Sequence, residues 1–300
     1  MSPLRTVACV TACNEEETIG ALLDVLLQAR PDGVPIKEVV VVSSACTDAT
    51  DDIVTRYAGH DARVKLIAEP VRRGKAAAIN TFLRSRPGGT DVTLLSSADV
   101  RPAPGAVEAI VEALRDERVG MAGGRPVPQN PGNALVDRMA RLLWDLHHEV
   151  ALRSPKLGEV VAFRSALVTA IDERSPVDEA SLEAAVEAGG AALRYVPDAI
   201  VGNMGPTTQR EWLSQRRRIA FGHAWLKRNC AYRVSTAGAA RVAPIWLRTV
   251  GRSPRNWTAG LALVAFEIVA RVLARIDAVR NPSRHAVWEI ARSTKRGVPG

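Results

Sequence analysis

Aromatic residues make up only 4% of this 300-residue chain, and it contains no zinc-finger spacing and no RNP-like aromatic string, so nucleic acid is not the expected partner. Four cysteines, Cys9, Cys13, Cys46 and Cys230, form no CxxC pair and no metal-like spacing; they read as reduced thiols packed as small hydrophobes. The opening Met1-Ser-Pro-Leu-Arg-Thr-Val lacks the basic, apolar and small-residue order of a secretory signal, so the expected location is the cytosol or the inner face of the membrane. The apolar stretch of the tail stops at Glu267, short of the ~20 residues needed to span a bilayer. The Arg72-Arg73-Gly74-Lys75 turn has neither the GxxxxGK[ST] spacing of a P-loop nor the GxGxxG of a dinucleotide fold, which disfavours an ATPase and a dehydrogenase. Acidic residues are scarce in the last third. Of the net charge of +8, residues 205–300 carry +14 and residues 1–204 carry −6. Such a basic block suits the phosphates of a nucleotide or an anionic membrane surface.

What is present is an alternation of apolar strand-like runs and helical patterns, with 47% hydrophobic residues to supply a core. Arg5 to Ala12, Ile36 to Val42, Val64 to Ala68 and Asp91 to Ser97 read as four buried strands with helices between them, the second strand following a Pro31-Asp-Gly-Val-Pro turn. This pattern predicts an α/β fold, a mainly parallel sheet flanked by helices, with ligands at the carboxyl ends of the strands. Those ends carry Asn14-Glu15-Glu16-Glu17, Ser43 to Thr50, Gly74-Lys75 and Ser97-Ala98-Asp99. Each has a plain structural alternative. Glu15 to Glu17 suit the first turn of a helix opening at Asn14, Thr47 or Asp48 suits an N-cap, and Asp99 suits a cap for a helix starting near Pro104.

Further on, Val119 to Gly123 reads as a short strand and Gly123 to Gly132 as a loop. Leu135 to Leu152 is a helix whose His147 and His148 diverge by about 100°, which argues against joint ligation of one metal. Glu159 sits beside Gly158, where a ligand could approach closely. Asp178 and Glu179 begin a helix, either as ordinary first-turn acids or with one of them as a general base. Leu193 to Val196 and Pro197 to Val201 return to the sheet. A long helix from Thr207 is expected to bury Trp212, Leu213, Ile219 and Trp225 and to present Gln215, the three arginines 216–218 and His223. Arg218 is the one expected to meet phosphate, with Arg216 and Arg217 on a solvated basic face. Basic residues flank the apolar helix after Asn256, which suits a helix lying on an anionic membrane or one docked on a core or partner.

Taken in order over roughly residues 5–230, these segments resemble the family 2 glycosyltransferases of the GT-A fold. That family's "PAYNEE" is similar to Thr11-Ala-Cys-Asn14-Glu15-Glu, its "VVDDGSTDGT" to Val41-Val-Ser43-Ser-Ala-Cys-Thr-Asp48-Ala-Thr50, and its "GKAxAxN" to Gly74-Lys75-Ala-Ala-Ala-Ile-Asn80. Its DxD motif falls on Ser97-Ala98-Asp99, its "ED" pair on Asp178-Glu179, and its "QxxRWxxGH" on Gln215 to His223. The resemblance implies a Rossmann-like GT-A domain over residues 1–230, with a basic helical extension over 231–300 that could meet a membrane surface. It implies inverting transfer of a sugar from a UDP- or GDP-linked donor to a hydroxyl acceptor, which could be lipid-linked. Asp99 would hold Mg²⁺ or Mn²⁺, and Glu179, with Asp178 in reserve, would be the base. Thr11, Asn14, Glu15, Ser43, Asp48, Gly74, Lys75 and Ser97 would border the donor, while Glu159, Gln215, Arg218 and His223 would face diphosphate or acceptor. The chain also departs from the family. Ser43 and Ser44 replace carboxylates, Cys13 an aromatic, Ile219 a Trp, and Ser97 the first DxD acid, so a hard cation has one fewer ligand here. A nucleotidyltransferase on the same sheet and a noncatalytic nucleotide- or glycan-binding module are the alternatives.

Overall fold

The structure, a computed structural model, describes residues 4–28, 36–251, 254–281, 285 and 287. The expected turn at Pro31 to Pro35 lies outside the described residues. β1 (Thr6–Ala12), β2 (Ile36–Ser44), β3 (Val64–Glu69) and β4 (Val92–Ser97) are parallel, joined by α1 (Ile19–Gln28), α2 (Thr50–His60) and α3 (Lys75–Ser85). The second half adds β5 (Arg101–Pro102), α4 (Ala106–Glu112), β6 (Val119–Pro128), α5 (Leu135–Ala151), β7 (Val160–Arg164), α6 (Asp178–Ala188) and β8 (Ala192–Asn203). Three helices follow: α7 (Gln209–Asn229), α8 (Ala239–Gly251) and α9 (Pro254–Arg280). One eight-stranded sheet results, in the order β3-β2-β1-β4-β7-β6-β8-β5. β7 runs antiparallel to both β4 and β6, and β5 antiparallel to β8; the other four pairings are parallel.

The near-continuous apolar runs of the first strands arise because both faces of the sheet are covered. Side chains alternate along each strand. In β1, Ala8 and Val10 turn to a core with Leu22, Leu23, Val54 and Ile110 from α1, α2 and α4, whereas Val7 and Cys9 turn to a core with Ile79, Phe82, Leu182 and Val186 from α3 and α6. A third cluster lies outside the sheet, where Met139 and Leu142 of α5 meet Trp212, Ile245 and Leu263 of α7, α8 and α9.

Two segments differ from their sequence reading. The glycine- and proline-rich stretch 123–128 is strand, not loop: β6 continues to Pro128 and pairs with β8 through Pro128↔Asn203. The main-chain N–H of Gln129 donates to the Asn203 carbonyl at 2.8 Å, so the odd-numbered residues face β8. Pro126 and Pro128 share the other parity, and the N–H groups they lack point away from that partner. Gly124 permits the approach, since a Cβ there would lie 2.5 Å from the Ala199 carbonyl oxygen. The second difference is at β8, which runs unbroken through Pro197 instead of as two pieces.

Candidate active site

The carboxyl ends of β1 and β2 are knitted together by side chains. Asn14, with φ of 57°, donates its main-chain N–H to the Cys46 sulfur at 3.3 Å and accepts the Thr47 main-chain N–H at 2.8 Å. Glu15 is buried; its main-chain N–H donates to the Thr50 hydroxyl at 2.8 Å, and its carboxylate accepts the Thr18 hydroxyl at 3.1 Å. These bonds hold residues 14–18 in turns, and α1 starts only at Ile19 with no acid in its first turn. The expected helix opening at Asn14 is therefore corrected. Asp48 accepts from the Thr50 main-chain N–H and hydroxyl at 3.1 and 2.5 Å, and from the Glu16 N–H at 3.1 Å. Burial pushes its carboxyl up, but these hydrogen bonds outweigh it and hold Asp48 below the ordinary range. The N-cap position of α2 falls on Ala49, with no side-chain cap.

At the end of β3, Gly74 takes φ of 101°, a value glycine adopts freely, and turns the chain into α3. Lys75 then reaches across the sheet end, with its ammonium 2.7 Å from Asp178 and 2.6 Å from Glu179 in the first turn of α6. Burial disfavours every charge in this triad. It pushes Asp178 up, with the neighbouring Glu179 charge adding to the shift. In Glu179 burial also pushes upward, but the charge and hydrogen bond of Lys75 win and hold it low. Burial lowers Lys75, and the two carboxylates more than restore it. The acid pair is placed from behind as well. Asn80 of α3 clasps Ile171 through two hydrogen bonds, donating to its carbonyl at 2.8 Å and accepting its N–H at 2.9 Å, which fixes the loop entering α6.

Asp99 lies half-buried just past the end of β4; the N-cap position of α4 is Gly105, with no side-chain cap. Glu159 precedes β7 with φ of 64° and accepts a hydrogen bond from the Asn203 side-chain amide at 2.9 Å. Its pKa is pushed up to about 7, first by burial and then by the negative charges of Asp99 and Glu179. Nothing would meet a Cβ at the adjacent Gly158, so the approach to Glu159 is open on that side.

The far wall is α7. Arg218 donates to the Pro176 carbonyl at 2.7 Å, two residues before the acid pair. Gly222 lets α7 close on the same corner, since a Cβ there would fall 2.6 Å from a Val177 methyl carbon. His223 and His147 are both held neutral by burial, which lowers each to about 3, reinforced by the nearby Lys156 charge. Arg216 and Arg217 differ from expectation. Neither forms a solvated basic face; Arg216 pairs with Glu267 at 3.0 Å and Arg217 with Asp277 at 2.5 Å, both acids on α9. Leu213 and Ile219 are half-buried, not buried.

These parts enclose one cavity of about 2320 Å³. Thr11, Asn14, Glu15 and Asp48 line it from β1 and β2, Gly74, Lys75, Ser97 and Asp99 from β3 and β4, and Glu159, Asp178, Glu179, Gln215, Arg218 and His223 from the second half. Ser43 is not among its lining residues: it is buried within β2 and its hydroxyl has no partner. Its neighbour Ser44 lines the cavity and donates to Glu69 at 3.0 Å. Sequence reasoning missed Asn203, although it sits at a strand end like the others, and it missed the apolar end of the cavity, formed by Trp144, Val242, Trp246, Leu263, Val264 and Ile268.

The sequence model of Glycosyl transferase family 2 matches residues 7–170. A probable glycosyltransferase of Bacillus subtilis, YdaM, is 26% identical over 204 residues, which is 63% of this chain and 48% of that protein. The chain thus spans about half the length of this curated relative. Among solved structures, the mannosyltransferase PcManGT from Pyrobaculum calidifontis, in complex with GDP-Man and Mn²⁺, superposes with a TM-score of 0.57 at 24% identity, covering 99% of this chain and 88% of that one. Glucosyl-3-phosphoglycerate synthase from Mycobacterium tuberculosis, in complex with Mn²⁺, UDP and glucosyl-3-phosphoglycerate, gives 0.53 at 20% identity, covering 76% and 80%. Both likenesses are of fold, and the α/β sheet described above is that of the GT-A type.

Proposed function

The chain belongs to glycosyl transferase family 2, and on that premise we propose that it moves a sugar, with inversion, from a UDP- or GDP-linked donor to an acceptor hydroxyl. The observation that carries this reading is the Lys75–Glu179 contact of 2.6 Å, in a cavity that also takes in the carboxyl ends of β1, β2 and β4. Glu179 is kept as a carboxylate inside a desolvated cleft, ready to accept the proton of an attacking hydroxyl. Lys75 is shared between that base and the anionic end of the cleft. When donor phosphates draw on its charge, Glu179 becomes more basic at the moment the hydroxyl must lose its proton. Arg218 stabilises negative charge growing on the departing diphosphate, and the Asn14, Glu15 and Asp48 turns border the nucleotide.

The residues fit a divalent cation that enters with the donor. Among the described residues no group of three or more His, Cys, Asp and Glu side chains is arranged to hold a metal. The negative charge of Asp99 acts on Glu159 across the cleft, and a Mg²⁺ ion is commonly held by one or two carboxylates together with substrate phosphates. Asp99 would hold Mg²⁺ or Mn²⁺, with the Ser97 hydroxyl nearby, and the ion would offset charge on the leaving diphosphate. We assign residues 1–230 to the catalytic unit and 231–300 to a basic helical extension.

The test is release of nucleoside diphosphate from a panel of UDP- and GDP-sugars, with and without Mn²⁺, by the intact chain and by Glu179→Gln. Metal-dependent release that falls in the variant supports the reading. Pyrophosphate released from a triphosphate would sink it in favour of nucleotidyl transfer. Tight nucleotide binding without turnover, unaltered by Glu179→Gln, would sink it in favour of a binding module.

A further inference from the structure

Helix α9 carries apolar residues on two sides. Leu263, Ala270 and Ala274 are buried, and the two acids of α9 are held inward by Arg216 and Arg217 of α7. On the other side Leu261, Val264, Ile268, Val272, Ile276 and Val279 follow one another at intervals of three and four residues, each between 39% and 85% exposed. At 1.5 Å per residue this stripe is about 27 Å long. The outer face of a helix on a water-soluble body ordinarily carries mixed charge, and an exposed apolar stripe of this length marks a contact surface. Of the charged side chains bordering the stripe, Arg275 and Arg280 are exposed and positive, while Arg271 is paired with Glu267 of the preceding turn at 3.0 Å.

We propose that the outer face of α9 docks on an anionic lipid surface, its apolar stripe entering the boundary between headgroups and acyl chains and its arginines meeting lipid phosphates. Charge selects this occupant. Two copies of the face laid against each other would bring the Arg275 and Arg280 charges together with no exposed carboxylate beside them among the described residues, whereas an anionic bilayer supplies the opposite sign at that end of the stripe. No helix among the described residues is long and apolar enough to cross a membrane. A face with basic side chains beside an apolar stripe is the type that lies in the interface plane. The docked orientation has a further consequence for the cleft. Val264 and Ile268 belong both to the exposed stripe and to the lining of the catalytic cavity, so docking sets the apolar end of that cavity against the lipid. The proposal does not depend on the sugar-transfer reading and is tested without it.

Flotation of the full chain with vesicles of phosphatidylcholine, alone or mixed with phosphatidylglycerol, gives the measurement. The chain is expected to float with the mixed vesicles, to release on adding salt, and to bind neutral vesicles at least about tenfold more weakly. Val272→Asp with Val279→Asp, both outside the cavity lining, removes flotation while leaving the circular dichroism of the fold unchanged. Arg275→Glu with Arg280→Glu removes the preference for the anionic lipid. Failure to float with either vesicle, or equal binding to both, overturns the proposal. So does a dimer in sedimentation equilibrium that the double aspartate variant dissociates, because the occupant is then a second copy.

Discussion

Lys75 is the residue on which the site turns. It pairs with the buried Asp178 and the half-buried Glu179, whose charges desolvation disfavours, so its loss leaves them unpaired. Lys75→Met is expected to cost about 3–5 kcal/mol in denaturant melts, a value at the level of breaking a buried ion pair. Glu179→Gln removes the proposed base while keeping shape; transfer is expected to fall by about 10²–10⁴-fold while nucleotide affinity by calorimetry is kept or rises, because Lys75 is freed for the phosphates. Glu159 makes the opposite kind of contribution. Its ordinary value of 4.5 is raised to about 7 in the fold, so between those values the unfolded chain has released the proton and the folded chain has not. The unfolded state binds fewer protons in that window, and stability falls as pH rises through it, by up to about 1.4 kcal/mol per pH unit. Glu159→Gln should flatten that decline when melts are taken in chelator from pH 4.5 to 7. A slope that survives the change assigns the loss to another group.

At the scale of elements, α7 and α6 meet at Gly222. Gly222→Ala forces Val177 aside next to Asp178, and a loss of about 1–3 kcal/mol is expected together with reduced turnover, read by thermal melts and kinetics. The strand ends that build the site were legible because each buried run stops abruptly at polar residues, as at Thr11, Ser44, Glu69 and Ser97. The face of each residue was less legible. Ser43 and Ser44 are equivalent in the sequence, yet one points into the core and the other into the cavity, a choice set by strand register. The end of β6 was hidden because Gly-Gly-Arg-Pro-Val-Pro carries the composition of a loop; only the shared parity of the two prolines betrays a one-sided strand. The pairings of Arg216 and Arg217 were out of reach for another reason. Their partners, Glu267 and Asp277, lie 51 and 60 residues away, beyond any local pattern. The same holds for Lys75 and Glu179, 104 residues apart, although both were singled out from their motifs.

Over the whole molecule, the cluster of α5, α7, α8 and α9 ties the sheet-bearing part to the basic extension. A chain cut after residue 230 would expose Met139, Leu142, Leu146 and Trp212, which are buried in that cluster. Removing their cover costs on the order of 6 kcal/mol, comparable with the total stability of a domain. The 1–230 fragment is therefore expected to aggregate or to melt far below the intact chain, as read by light scattering and calorimetry. The sheet order also bears on biosynthesis. A ribosome delivers β1 to β4 as a ready parallel set, but β7, which covers the free edge of β4, emerges only after β6 and α5. Until then β4 offers a row of unpaired main-chain groups to any neighbouring nascent chain. Prematurely terminated products ending before Val160, and not the finished protein, are thus the species that a cell must shield or clear.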